Sequence, residues 1–308
     1  MTHVSSPQND KSQADMEAGG RAWPLVLAFV AVLSICGWTY LVAMVADMVP
    51  VMDMSQAGPG MGVLNRFNIF RDLSPEARAA LAVLCLPAGA TFGMPGTEMT
   101  LAALGKIFLM WSMMAVAMML PTAVPMLRSY STRLSASGRK DSTSALPVMS
   151  AALGYLLVWI AYALVATFAQ WLLFSLGALS EMMAPVSLAL TTSVLFVAGI
   201  YQFTPAKQAC LRRCWYPRWI GGWEPGQLLS GFREGMIQGL ACLGCCWAVM
   251  TVMFAVGIMN IVWIALLGGI MVLEKTFPSR FFPAAIGVFL ILWAGFLAST
   301  VLLAAAPA

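Results

Sequence analysis

Five cysteines pose the chemical question. Cys242, Cys245 and Cys246 lie in the run Cys-Leu-Gly-Cys-Cys-Trp, and Cys210 and Cys214 in the run Cys-Leu-Arg-Arg-Cys. Residues four apart share a helix face, so Cys242 and Cys246 stack, Met250 and Met253 continue that face, and Cys245 stands on its edge. Thiolates held together at low dielectric call for a soft cation, because isolated charges there are costly. Cysteine also serves as a small hydrophobe in apolar helices, which suits the solitary Cys36 and Cys85. Three Cys within five residues, with a second pair nearby, point to metal or redox chemistry instead.

Methionine adds a softer signal. Met110, Met114 and Met118 recur at every fourth position, Met113 and Met119 widen the stripe, and Pro121 loosens the helix just below it. Met44, Met48, Met52, Met54 and Met61 crowd around Asp47 and Asp53. Thioethers bind Cu(I) without losing a proton, and hard ions ignore them. They also pack flexibly in any core. In a polar segment packing offers little, which favours ion binding for the second group. Glu274-Lys275 closes an apolar run. It reads first as a solvated pair at a helix end, which is weak and common; the functional alternative makes Glu274 a carboxylate gate or counter-ion near the thiols. Tyr201 and Lys207 read as interfacial anchors. The candidate metal ligands are therefore Cys242, Cys245, Cys246, Cys210, Cys214, Met114, Met118, Met250 and Glu274. The ion they suit is Cu(I), or another thiophilic metal.

Other chemistries lack material. The single histidine is His3, which removes Ser/His/Asp and Cys/His catalysis and any His-based metal site. There is no P-loop and no dinucleotide fingerprint. These absences argue against an enzyme. Two rivals stay open: a membrane thiol–disulfide oxidoreductase working through the five thiols, and a structural membrane subunit in which sulfur only packs helices. The net charge of +4 matters through its placement and argues for neither nucleic acid nor an acidic substrate.

The elements that must position these residues follow from composition. Of 308 residues, 60% are hydrophobic and 10% charged, against about 45–50% and about 25% in a soluble domain. So few charges cannot cover a water-facing surface, and the bilayer is the expected partner. Apolar runs long enough for a roughly 30 Å hydrocarbon core occur at 23–46, 104–126, 146–176, 184–203, 235–256 and 281–305, with a shorter one at 261–273. Backbone polar groups in lipid must be satisfied internally, so the runs are helices. The expected fold is an all-α, polytopic transmembrane bundle of about seven spans. With the N-terminus inside and the C-terminus outside, thirteen of the 17 Lys and Arg fall on the cytoplasmic side. A bacterial inner (plasma) membrane is the expected location. Residues 1–20 read as a disordered cytoplasmic tail and 21–308 as a single transmembrane domain. Its outside segment spans about 47–103, with a helix start at Ser74-Pro75-Glu76 and an interfacial stretch at 79–86. Segments 127–145 and 204–234 read as a flexible cytoplasmic loop and an interfacial loop.

Several motifs together carry a family resemblance. They are Ala117-Met118-Met119-Leu120-Pro121; Gly199-Ile200-Tyr201-Gln202-Phe203-Thr204-Pro205-Ala206-Lys207 running into Cys210 and Cys214; Cys242 to Trp247 followed by Met250; Gly257-Ile258-Met259-Asn260; and Glu274-Lys275. This set resembles the DUF2182 family, whose members are described as predicted metal-binding integral membrane proteins. The likeness runs from about Trp111 to Gly295, with Ala206 where the family is expected to carry Leu. It implies a membrane location and a metal site, and no particular reaction. The working picture is handling of Cu(I) in transport, delivery or assembly, with inward delivery or insertion into a partner both open. Met44, Met48, Met52 and Met54 gather the ion, the Met110/Met114/Met118 face passes it on, and the thiols receive it. A metal-donor or metal-acceptor protein is the implied partner.

Overall fold

A computed structural model of the chain describes residues 7–49, 53–68, 100–136, 145–180, 184–219 and 227–305. Met52, Cys85, the expected helix start at Ser74 and the interfacial stretch at 79–86 lie outside the described residues. Among the described residues, regular structure is helical apart from one isolated bridge between Leu179 and Pro185. The helices are α1 (Pro7–Met48), α2 (Leu101–Thr122), α3 (Val124–Ala136), α4 (Leu146–Ser175), α5 (Leu188–Tyr201), α6 (Pro205–Trp215), α7 (Gln227–Thr251), the single turn α8 (Met253–Val256), α9 (Ile261–Thr276) and α10 (Phe281–Ala305).

Among the described residues, five stretches are long and apolar enough to cross a membrane: Trp23–Met48, Leu101–Thr122, Leu146–Ser175, Leu228–Val256 and Phe281–Thr300. Helices α5 and α6 make a sixth only if taken as one span, bent by 62°. Helix α9 has 16 residues, or about 24 Å at about 1.5 Å per residue, short of a roughly 30 Å hydrocarbon core. The seven expected apolar runs thus all form helices, but two of them are too short to cross alone. Leu164, Val165 and Phe168 on α4 and Phe289, Leu292 and Phe296 on α10 point outward, an apolar surface that suits lipid contact.

Lipid gives helices no hydrophobic reason to associate, so small residues that allow close approach carry the packing. Helices α4 and α7 show this. A Cβ on Gly154 would run into the carbonyl oxygen of Phe232, and one on Gly235 into that of Ala151. This close register fixes the α4 side chains against the cysteines of α7.

Helix α1 extends back to Pro7, within the segment 1–20; an existing helix extends residue by residue without a new nucleus. Two expectations need correction. The expected loop at 127–145 contains α3, whose Leu127, Tyr130 and Leu134 are buried at helical spacing. The expected loop at 204–234 contains α6 and the first turns of α7. Thr204 caps α6, accepting from the Lys207 amide at 3.3 Å, and Pro205 fits its first turn.

The outer methionines are also corrected. Met44, Met48, Met54 and Met61 are all buried in the core. Two 3-10 turns, Met54–Ala57 and Met61–Phe67, press onto the junction of α8 and α9. Gly58 (φ 118°) and Gly257 (φ 98°) take left-handed backbone where a Cβ on either would strike the opposing chain. The Asn260 amide at 2.9 Å and the Trp263 indole at 3.2 Å both donate to the Pro59 carbonyl. The turns point Met54 and Met61 inward, so these thioethers pack rather than face water.

Candidate metal centre

The centre is built on α7. Cys242, Cys245 and Cys246 are fully buried, and their three sulfurs lie within 4.8 Å of one another. Cys245 Sγ is 3.4 Å from Cys246 Sγ, and its thiol also donates to the Cys242 carbonyl at 3.1 Å. Helix α6 lies against α7 and brings a fourth thiol, with Cys214 Sγ 3.8 Å from Cys245 Sγ. Thiolates on one ion at about 2.3 Å stand about 3.8–4.0 Å apart for tetrahedral or trigonal geometry. The observed separations bracket that range, so small side-chain rotations would close the set around a single soft ion.

Cys210, one turn back on α6, packs beside the cluster. A Cβ on Gly244 would come within 2.5 Å of its sulfur, so only glycine lets α6 lie this close. Tyr201, at the end of α5, donates to the Gly244 carbonyl at 2.6 Å and pins the bend to the same turn of α7.

Polar groups from three other helices surround Cys242. Lys275, from the last turn of α9, donates to Cys242 Sγ at 2.6 Å and to Thr122 Oγ1 at 2.7 Å. The Tyr155 hydroxyl, from α4, lies 2.8 Å from Cys242 Sγ and 3.1 Å from Thr122 Oγ1. Lys275 and Tyr155 are buried. An ammonium in such surroundings needs an anion nearby, and the nearest neighbour able to become one is the Cys242 thiol, with the Tyr155 hydroxyl farther off at 3.4 Å.

A buried ion pair holds α6 over this knot. Lys207 and Glu274 are both 0% exposed and bond at 2.7 Å, and Lys207 also donates to the Gln202 side chain. The Trp215 indole donates to the Glu274 carbonyl at 2.8 Å. Both ends of α6 are thus tied to the end of α9, and Cys214 is carried to the cluster between the two ties. The reading of Glu274-Lys275 as a solvated pair, and of Lys207 as an interfacial anchor, is therefore overturned. Each charge is buried because α6 covers the end of α9.

A sequence-family model described as PpoB2, copper chaperone, matches residues 108–297, more than half of the chain. The chain belongs to this copper chaperone family. No curated protein and no solved structure matches it. The copper chaperone span includes every thiol of the cluster together with Lys275, Tyr155 and Thr122, whereas the outer methionine segment at 44–61 precedes it.

The other candidate ligands of the chain are placed as follows. Met114, Met118 and Met250 are buried. Met118 stands one turn from Thr122 on α2, and its side chain meets Gly268 on α9, where a Cβ would be 3.4 Å away. Gly268, Met271 and Lys275 share one face of α9, so the Met114/Met118 stripe leads along α9 toward the knot at Cys242. Met250 stands one turn beyond Cys246 on the cysteine face. Glu274 bonds Lys207 and stands outside the three-sulfur group.

Four participants escape the sequence argument: Lys275 as the partner of a thiol, Lys207, Tyr155 and Thr122. A lysine inside or at the end of an apolar run is itself a signal, because intramembrane charges mark functional sites. No comparable signal marks Tyr155 or Thr122, whose role comes from the packing of α2 and α4.

Proposed function

We propose that the protein is a membrane copper chaperone that binds one Cu(I) ion on Cys242, Cys245 and Cys246, with Cys214 as a fourth thiol, and exchanges it with a partner protein. The observation that carries this reading is the convergence of three buried thiols from α7 with a fourth from α6. Soft thiolates select Cu(I) over hard ions. Lys275 balances charge: two ionised thiols with Cu(I) carry one net negative charge, which the ammonium cancels. Cys210 stands in reserve beside the cluster, and Met114, Met118 and Met250 extend soft sulfur away from it. Glu274 acts through Lys207, holding α6 and its Cys214 in place. The chain spans a bacterial inner membrane seven times, N-terminus inside and C-terminus outside, with α5 and α9 crossing where neighbouring helices shelter their short ends. The thiols then lie toward the cytoplasm, whose reducing conditions disfavour structural disulfides. That setting favours copper over the oxidoreductase reading.

The test replaces Cys242, Cys245 and Cys246 by Ser in the full chain purified in detergent. Wild type should hold one copper with sulfur-only coordination by X-ray absorption, and the triple variant should hold none. Equal copper in both would end the proposal.

A further inference from the structure

A cavity of about 20 Å³ opens beside the thiols, enough for one water-sized group. Exposed Pro125 and half-buried Cys214 form its rim, and Tyr155, Gln238, Cys242 and Lys275 its buried floor. It therefore joins the surface to the most heavily hydrogen-bonded of the thiols. Gln238 has no part in the metal centre described above, and it is 2% exposed. Neither its Nε2 nor its Oε1 has a hydrogen-bond partner among the described residues. A buried amide unpartnered at both ends is rare and unfavourable, and here it lines a space with a cation across from it. The wall is built to receive a polar or anionic group.

We propose that this cavity is the exchange port of the copper site, admitting the thiol of a copper donor or acceptor, and that Cys214 is the ligand this thiol replaces. The inference rests on the reading of the cluster as a Cu(I) site. Three of the four thiols stand on one helix and are fully buried; Cys214 comes from α6, is half-exposed and forms the rim. Water does not compete with thiolates for a soft ion, whereas another sulfur does. In the exchange, a Cu–S bond to the incoming thiol forms as the Cu–S bond to Cys214 breaks. The proton lost by the incoming thiol passes to the Cys214 sulfur, and copper stays Cu(I). The space takes little more than the incoming sulfur atom, so the remainder of the donor or acceptor stays outside, against Pro125.

The experiment loads the full chain in detergent with one equivalent of Cu(I). It is then chased with excess free cysteine, or with a short peptide carrying Cys-Gly-Gly-Cys, and the copper left on the protein is timed. Ala123→Leu fills the cavity from its wall, and Gln238→Leu exchanges the unpartnered amide for an apolar group of similar size. Both should keep their copper and lose it about tenfold more slowly than wild type, a change of one decade in rate. If Ala123→Leu disturbs folding, Gln238→Leu carries the test by itself. Slowing toward cysteine only assigns the port to free thiols, and slowing toward the peptide only assigns it to a protein partner. N-ethylmaleimide added to the partly discharged protein, after the chase thiol has been removed, should mark Cys214 ahead of Cys242, Cys245 and Cys246. Wild-type release from a fully loaded Gln238→Leu protein overturns the port and leaves the copper site standing, as does first labelling of a thiol on α7. A wild-type chain that takes up no copper overturns the proposed function itself.

Discussion

Where α6, α7 and α9 meet, sulfur keeps polar company. Cys242 touches Lys275 and Tyr155, Gln238 lines the adjoining cavity, and the Lys207–Glu274 pair clamps the helices around them. Beneath the 3-10 turns at 54–67, sulfur is just as buried, in Met44, Met48, Met54 and Met61, but polar groups there serve the backbone. Asn65 accepts from the Met54 amide at 2.8 Å and donates to Asp53 at 2.6 Å, and Asn260 holds Pro59. A thioether has no proton to lose and no charge to neutralise, so it enters a core as any apolar side chain does. A cluster of thiols that is to ionise needs cations and donors within reach. On the proposed reading of the thiols as a copper site, the polar groups around the sulfurs, more than their number, separate a metal centre from packing.

The largest effect expected from testing this contrast falls on the clamp. Lys207→Met leaves the Glu274 carboxylate buried without a cation, which costs about 3–5 kcal/mol when one partner of a buried pair is removed. Adding Glu274→Gln should restore most of the loss, because a neutral amide needs no counter-charge. Thermal unfolding in detergent measures both variants. Equal stability of the single and double variants would mean that the pair is no strut and that α6 is held by Trp215 and Gly244 instead.

A smaller effect is expected at Lys275, which touches the proposed ligand set. Groups that hydrogen-bond to a metal ligand change affinity by about 10–100-fold when removed, and Lys275→Met should weaken Cu(I) binding within that range in competition with a chromogenic Cu(I) chelator. The loss should exceed that from Tyr155→Phe, which removes a neutral partner. Unchanged affinity in Lys275→Met would show that the ammonium only fills space, and the two ends of the bundle would then differ less than their contacts suggest.

How far the sequence led can be judged at these same residues. The apolar runs at 23–46 and 146–176 match α1 from Trp23 and α4 almost to the residue, because a bilayer leaves length and hydropathy little freedom. The face shared by Cys242 and Cys246 was legible from helix geometry alone. The burial of Glu274 and Lys275 was not, because it depends on α6 folding back over the end of α9. Helix α6 itself hides behind the Trp, Pro, Gly and Arg of 204–234, although its Thr204-Pro205 start is a readable signal. Gln238 is one of several polar residues in the first half of α7, and the sequence does not say whether its amide finds partners. That is decided by α2 and α6, far away in the chain.

The smallest effect is expected at the methionine end. Met48→Leu and Met54→Leu exchange side chains of similar volume in a packed core, a change that costs less than about 1.5 kcal/mol each. If these thioethers only pack, both variants should load copper to the wild-type amount at the wild-type rate, and only the unfolding midpoint should move. Leucine keeps the apolar contacts and removes the one atom that can bind Cu(I), so any loss of uptake rate isolates the sulfur. Slower loading with unchanged stoichiometry would place these residues on the ion's path in from the outer side. The 3-10 turns, held over α8 and α9 by Gly58, Gly257 and Asn260, would then be what has to lift before an ion could reach them. A rate equal to wild type in both variants keeps the comparison sharp and leaves the thiol end as the part of the bundle where copper is taken up.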